Sequence, residues 1–305
     1  MLLRNIFVFS VFLVSTASHS MQVALSFDDA PMRKMEIYTG KARTERLLSI
    51  LQKYKIQTVL FSVTSNFNTD DGLERMKLYD EAGHFIANHT HTHPNFDETP
   101  INDFIENFNK AHKHLAQFKN FKAWFRFPML RHGNTLQKRD AMRAYLNKNK
   151  YKDGYVTLDI QDWFMADLVN KGLKEGRKIN KEALCTAYSE LIWDTMLFYD
   201  SKAVELLNRS PKHMLLLHEN DLAALCLESL ITKIVSNNWS IISPDSAMQD
   251  EIYGIQPSQL FSNNGQIAAL YFEKKGIKIY DPWSHPWNDG ELIRKEFDRR
   301  KIFIK

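Results

Sequence analysis

Short apolar runs alternate along the chain with longer stretches whose apolar residues recur at helical spacing. Gln22 to Phe27 reads as a first strand, and Ala42 to Ile56 as a helix with Leu47, Leu48, Leu51 and Tyr54 near one face. Gln57 to Val63 is a continuous apolar strand, and Leu73 to Ala82 a helix that Gly83 should cap. His84 to Ala87 reads as a short strand. The clearest helix starts at Thr99 and Pro100, a cap and first-turn pair, with Ile101, Phe104, Ile105, Phe108, Ala111, Leu115 and Phe118 on one face. His112 and His114 on that helix point in different directions and read as surface residues. Strand Lys122 to Phe127, helix Leu136 to Asn147 and strand Gly154 to Leu158 follow. Most of Ile179 to Asn208 reads as helix, with Leu191, Ile192, Met196, Leu197 and Leu206 facing inward. Strand His213 to Leu217, helix Leu222 to Ser236 and strand Trp239 to Ile242 complete the series. Such alternation predicts a parallel sheet or barrel with helices outside. It stops after Pro244. Ser246 to Lys305 carries two strand-like runs, Gln266 to Phe272 and Ile277 to Tyr280, and an aromatic stretch from Asp281 to Trp287. We read it as an extension packed on the main body, too short for an independent domain.

The N-terminus changes the picture of where the chain works. Arg4 supplies a positive charge, Ile6 to Val14 is apolar, and Ser15 to Ser20 offers small residues, the three parts of a secretory signal. The apolar run is too short to span a bilayer, and no other apolar run is long enough to cross one, so residues 1–20 are expected to be removed and the protein exported to the periplasm or medium. The competing reading is a buried N-terminal strand or helix. At 305 residues, 44% hydrophobic and 25% charged, the composition is that of an ordinary globular protein. The net charge of +4 is spread among acids rather than clustered, which argues against a nucleic-acid partner. Only Cys185 and Cys226 occur, each in an apolar helical context where a buried thiol is the commoner outcome. Two free thiols are expected, although export would allow a disulfide.

Candidate chemistry sits where strands end. Ala24 to Phe27 runs directly into Asp28 and Asp29, and Pro31 stops it. Two adjacent carboxylates at a strand end are costly unless a cation or shared proton compensates. Asn88-His89-Thr90-His91-Thr92-His93-Pro94 offers imidazoles spaced by two and four, and imidazole with carboxylate is the ligand set of an open zinc-type site. Taken alone, the acid pair also reads as a turn or cap and the histidine run as a solvated loop. Three later stretches make the set specific: Arg126-Phe127-Pro128-Met129, Asp159-Ile160-Gln161-Asp162-Trp163 and Leu216-Leu217-His218.

In this order and with these separations, the five stretches resemble the motifs of the polysaccharide deacetylase family, relatives of the nodulation-factor chitooligosaccharide deacetylase and members of carbohydrate esterase family four. The resemblance spans Gln22 to Ser243. It implies an α/β fold, a distorted parallel (β/α) barrel of about seven strands over residues 21–245, with residues 246–305 as the C-terminal extension. It implies a hydrolase acting on C–N bonds other than peptide bonds, removing N- or O-acetyl groups from a carbohydrate. In such a site Asp29, His89 and His93 would hold a divalent metal, zinc in the first place, with cobalt, nickel or manganese as alternatives. Asp28 would be the general base and Arg126 the arginine that orients it. Met129, standing where the family usually has tyrosine, would offer its backbone N–H to the developing oxyanion. His218 would protonate the leaving amine, held by Asp162, while Trp163 and Leu216 would wall the acetyl pocket. His91 falls outside the ligand set, and Asp159 would brace its loop. Ala30 replaces the glycine usual before the proline, a change an extended backbone tolerates. The resemblance makes an acetylated glycan the expected partner. Two rivals are a deacylase or amidohydrolase of a small non-sugar amide on the same fold and a non-catalytic carbohydrate-binding protein. The latter needs neither the base Asp28 nor the acid His218.

Overall fold

The computed structural model describes residues 21–69, 71–261, 263–277 and 285–304. The expected leader, residues 1–20, lies outside them. Among the described residues no helix is long and apolar enough to cross a membrane.

Strand β1 (Gln22–Ala30) is buried along nearly its whole length, as an apolar run flanked on both sides must be. Helix α1 (Gly40–Lys53) leads to β2 (Val59–Ser62), α2 (Gly72–Glu81) to β3 (Phe85–Asn88), α3 (Ile101–Leu115) to β4 (Phe121–Phe125), and α4 (Leu136–Lys148) to β5 (Lys152–Asp153). Helix α5 (Asp162–Lys174), β6 (Lys178–Ile179) and the long α6 (Lys181–Leu207) then bring the chain back to β7 (Lys212–His218), followed by α7 (Asp221–Ser236) and β8 (Ser240–Ile241). The sheet order is β5-β4-β3-β2-β1-β7, with β8 also pairing with β1, and every pair is parallel. The result is a curled, seven-stranded parallel sheet with helices, a distorted (β/α) half-barrel.

The distortion has a local cause. Instead of the strand expected over Gly154 to Leu158, the chain pairs with β4 only at β5, and then crosses to β7, where Leu158 bridges Leu215. One segment thus touches both open edges of the sheet. Gly154 is needed at the crossing, because a Cβ there would lie 2.6 Å from the Phe61 ring.

Four other expectations are corrected. Thr99 does not cap α3; its hydroxyl donates to the Asn95 carbonyl and Pro100 occupies the cap position. His112 and His114 are half-buried rather than free on the surface: His112 bonds the Tyr151 hydroxyl at 2.7 Å, and His114 stacks on His91. The run Gln266 to Phe272 belongs to a helix, α9 (Gly265–Lys275), nearly all of its residues buried. An apolar run without polar alternation fits a buried helix as well as a strand, and here the left-handed residues Asn264 and Gly276 bound a helix. Of the second run, Ile277 lies outside regular structure and 278–280 outside the described residues. The rest of the C-terminal segment forms α8 (Pro244–Ala247), α10 (Gly290–Arg299) and β9 (Phe303–Ile304), which pairs antiparallel with β6.

The fourth correction concerns the cysteines. Cys185 of α6 and Cys226 of α7 form a disulfide rather than two free thiols. Apolar context foretold the burial of Cys226, while Cys185 is half-buried; pairing depends on how α6 and α7 pack, which local sequence does not contain. The bridge closes a separation of 41 residues. On the chain-entropy account that is worth about 4 kcal/mol. Reduction, or Cys185→Ala with Cys226→Ala, is expected to lower the urea midpoint accordingly; an unmoved midpoint would show that helix packing needs no covalent tie.

Candidate functional site

The chain lays strands β1 to β5 steadily to one side and then returns to the other side of β1 with β7, so the order reverses between β1 and β7. In open parallel sheets ligands bind beyond the carboxyl ends of the strands at such a reversal. Asp28 and Asp29 lie in the last three residues of β1, and Asp28 pairs in register with His218, the last residue of β7. His89 follows β3 and Arg126 follows β4.

Adjacent strand residues normally point to opposite faces. Here the β1–β2 register shifts between Phe27 and Ala30, and Asp29 takes φ +64°. This irregularity re-aims the strand end so that both carboxylates line one cleft of about 580 Å³. Left-handed backbone recurs around the cleft at Thr90 (φ +72°), His93 (+56°), Met129 (+54°) and Leu130 (+51°). Such conformations cost non-glycine residues on the order of 1–3 kcal/mol each, and they persist only where the surroundings hold them. The histidine loop is held by side chains: His93 N–H donates to Thr90 Oγ1, and Asn107 Oδ1 accepts from the His91 and Thr92 N–H groups.

Asp28 is 3% exposed. Its Oδ1 accepts from Arg126 Nη1 at 2.5 Å, and the same guanidinium donates to Ser26 Oγ and to the Gly154 carbonyl while lying 3.8 Å over the Phe61 ring. Arg126 is therefore a fixed, fully buried partner of Asp28.

Three ligand-type atoms stand beside this pair. The groups of Asp29, His89 and His93 lie within 4.8 Å of one another. His89 Nδ1 is 2.8 Å from the Arg126 carbonyl, which can only accept, so Nδ1 carries the hydrogen and Nε2 a lone pair. Burial first, then neighbouring His93, pulls the His89 pKa down to about 3, so the ring is neutral. Its bare Nε2 lies 3.6 Å from an oxygen of each of Asp28 and Asp29, and His93 Nε2 lies 3.3 Å from Asp29 Oδ1. Asp29 Oδ1 is itself buried without a hydrogen-bond partner. Lone pairs facing an orphaned carboxylate oxygen repel unless a cation lies among them, so these residues fit a divalent metal. His91 is turned away: its Nδ1 meets Thr64 Oγ1 at 2.9 Å.

On the other side of the cleft, His218 Nδ1 lies 2.7 Å from Asp162 Oδ1, and Asp162 Oδ2 accepts from the His218 N–H and from Asn220 Nδ2. Asp162 is fully buried at the first turn of α5, where the helix dipole favours a negative charge. Burial opposes charge on His218, but Asp162, with Asp29 and Asp28, outweighs it and pushes the pKa up to about 9.

Met129, Trp163 and Leu216 also line the cleft, Met129 and Trp163 about half exposed and Leu216 buried against Leu130 and Val156. All ten sequence-derived candidates thus border it or, like Arg126 and Asp162, stand directly behind a residue that does. Sequence reasoning gives Asp159 only a bracing role and misses several other residues. Asp159 lines the cleft, where burial pushes its carboxyl up to about 7 against the opposing charge of His218. Glu219 is buried between Arg75 and Arg43 and accepts the Met32 N–H, while Asp221 accepts from Ile37 and Tyr38. These pairs tie the loop after β1 to the loop carrying His218. Asn263, Asn264 and Asn288 line the cleft from the C-terminal segment. The acids beside His218 were a visible signal; the asparagines gave none.

Residues 16–149 match the sequence model of the polysaccharide deacetylase family. No curated protein matches the chain by sequence. A CE4 family pseudoenzyme of Bacillus anthracis, in a mutant form with restored enzymatic activity, superposes at TM-score 0.52 with 17% identity, over 76% of this chain and 68% of that one. The peptidoglycan deacetylase PdaC of Bacillus subtilis gives 0.50 with 18% identity, over 76% and 91%. The Bc1960 peptidoglycan N-acetylglucosamine deacetylase gives 0.50 with 17% identity, over 74% and 87%. At these identities the likeness is one of fold, and that fold also serves pseudoenzymes, so any activity has to be argued from the residues. Residues 16–149 thus carry the match to the polysaccharide deacetylase model, and the chain shares its fold with deacetylases and pseudoenzymes of the CE4 family.

Proposed function

We propose that the protein is a metal-dependent hydrolase that removes acetyl groups from an N-acetylated or O-acetylated carbohydrate. The observation that carries this reading is a ligand-type triad flanked by a base candidate on one side and an acid candidate on the other, all at one strand-end cleft. A binding protein would have no use for the His218–Asp162 pair.

Asp29, His89 and His93 are the residues that would hold a divalent cation, zinc before cobalt, nickel or manganese. A cation there would supply Lewis-acid polarisation of the acyl carbonyl and a lowered pKa for attacking water. Asp28, fixed by Arg126, accepts the proton of that water. The N–H of Met129, on the left-handed turn at the cleft, is the candidate donor to the oxyanion. His218, charged through Asp162, gives its proton to the leaving nitrogen or oxygen. Trp163 and Leu216 bound the space for the acetyl methyl. Asp159, its carboxyl pushed up to about 7 by burial, is only partly ionised near neutral pH.

The catalytic domain is assigned to residues 21–245 and the extension to 246–305. Export fits this function, since acetylated envelope polymers lie outside the cytoplasm. The Cys185–Cys226 disulfide supports it, because such bonds persist in oxidising compartments.

Acetate release from chitooligosaccharides, peptidoglycan and acetylated xylan tests the reading, with a small cyclic amide as the rival substrate. We expect release from at least one glycan, and one metal per chain by elemental analysis. His89→Ala with His93→Ala is expected to abolish both. Unchanged metal content in the double variant would remove the triad from the site, and turnover of the cyclic amide alone would favour the non-sugar amidohydrolase.

A further inference from the structure

One wall of the cleft takes no part in the acid–base chemistry. Asn263, Asn264 and Asn288 all line the cleft, and all lie beyond the residues that match the family model. They are held there firmly. Asn263 and Asn264 take φ +59° and +63°, a conformation that asparagine tolerates better than most residues. The Asn263 N–H donates to the Leu130 carbonyl at 3.3 Å, the Asn264 N–H bonds Asp159, and the Gln266 N–H donates to Val156 at 2.7 Å. Gly265 permits this docking, since a Cβ there would come within 2.7 Å of the Val156 carbonyl. Asn288 ends a short turn, Pro286–Asn288, whose following helix α10 starts with Gly290 against the Phe164 ring.

The amide of Asn288 is the telling group. Its Oδ1 and Nδ2 are both buried, and neither has a hydrogen-bond partner among the described residues. A buried donor and acceptor left unanswered are unfavourable, and such pairs occur where a ligand or solvent completes them. Primary amides offer two donors and an acceptor, the complement of vicinal hydroxyls that both donate and accept. Trp163, half exposed at the same cleft, offers an apolar face for the C–H side of a sugar ring.

We propose that Asn263, Asn264 and Asn288 form a recognition wall for the hydroxyl groups of the sugar substrate, so that the C-terminal extension sets substrate choice. The inference rests on the glycan-deacetylase reading and names residues that would select its substrate.

Its test separates binding from turnover. Calorimetry on zinc-loaded Asp28→Asn protein measures affinity for tetra-N-acetylchitotetraose, alone and with Asn288→Leu, Asn263→Gly or Asn264→Gly added. Glycine retains the left-handed backbone, and thermal unfolding checks that each variant folds. Each lost amide is expected to weaken binding, by about tenfold for Asn288→Leu. In protein retaining Asp28, the ratio of kcat/KM for chitotetraose over 4-nitrophenyl acetate is expected to fall by a similar factor, because the ester is too small to span the wall. Affinity unchanged within twofold in all three variants, or no binding by the Asp28→Asn parent, overturns the proposal. Hydrolysis of both probes with an unchanged ratio also overturns it and leaves the deacetylase reading standing. Binding through the asparagines with no turnover of either probe defeats the deacetylase reading and supports the wall.

Discussion

Asp28→Asn is expected to lower acetate release by about 10²- to 10⁴-fold, the usual loss on removing a general base, while the metal content per chain stays unchanged. The geometry makes the substitution unusually informative. Asp28 Oδ1 accepts from Arg126 Nη1, so an asparagine will turn its own oxygen towards that donor. Its Nδ2 hydrogens then replace Oδ2, the oxygen that lies 3.6 Å from His89 Nε2. A donor stands where the reaction needs an acceptor, with shape and burial nearly conserved. Asp29, His89 and His93 are untouched, and this separates loss of the base from loss of the metal. Acetate release within a few fold of the parent would transfer the base role to another group. Asp159 would be the first to examine, since its carboxyl lines the same cleft with its pKa pushed up to about 7.

What the sequence disclosed about this site has a physical pattern. Asp28, His89, Arg126 and His218 were visible because each sits at, or one residue beyond, the end of a short apolar strand, and strand ends in a parallel sheet converge. That inference needs only local periodicity and the rule of convergence. It fails where a role depends on packing between distant segments. Glu219 stands next to His218 in sequence, yet its partners include Arg75, 144 residues away, and nothing near either residue marks the pair. Cys185 and Cys226 each read correctly as residues of apolar helices, but the contact between those helices is tertiary. Nothing in the local sequence marks Asn263 and Asn264; only the docking of their turn on Leu130, Asp159 and Val156 brings them to the cleft. The misreading of Gln266 to Phe272 as strand-like hid that turn, because a strand would not begin with two left-handed residues.

His218→Ala is expected to damage hydrolysis of an acetamide far more than that of an activated acetate ester at the same pH. An amine leaves only if its nitrogen is protonated as the C–N bond breaks, whereas an activated alkoxide departs without help, so the need for an acid follows the substrate. Asp162→Asn should act in the same direction and less severely. The His218 ring is charged because Asp162, 2.7 Å away and reinforced by Asp29 and Asp28, overcomes burial and pushes the pKa up to about 9. Removing the largest raising influence leaves burial less opposed, so the folded-state pKa falls. The imidazolium is the active form and exists below that pKa. The alkaline limb of kcat/KM on the amide must therefore move to lower pH in Asp162→Asn, and activity is lost first at the high end of the range. The asparagine can still accept the Nδ1 hydrogen, and this keeps the ring oriented and isolates the charge effect from a positional one. Equal loss on amide and ester in both variants, with the limb unmoved, would make His218 a binding contact rather than the acid.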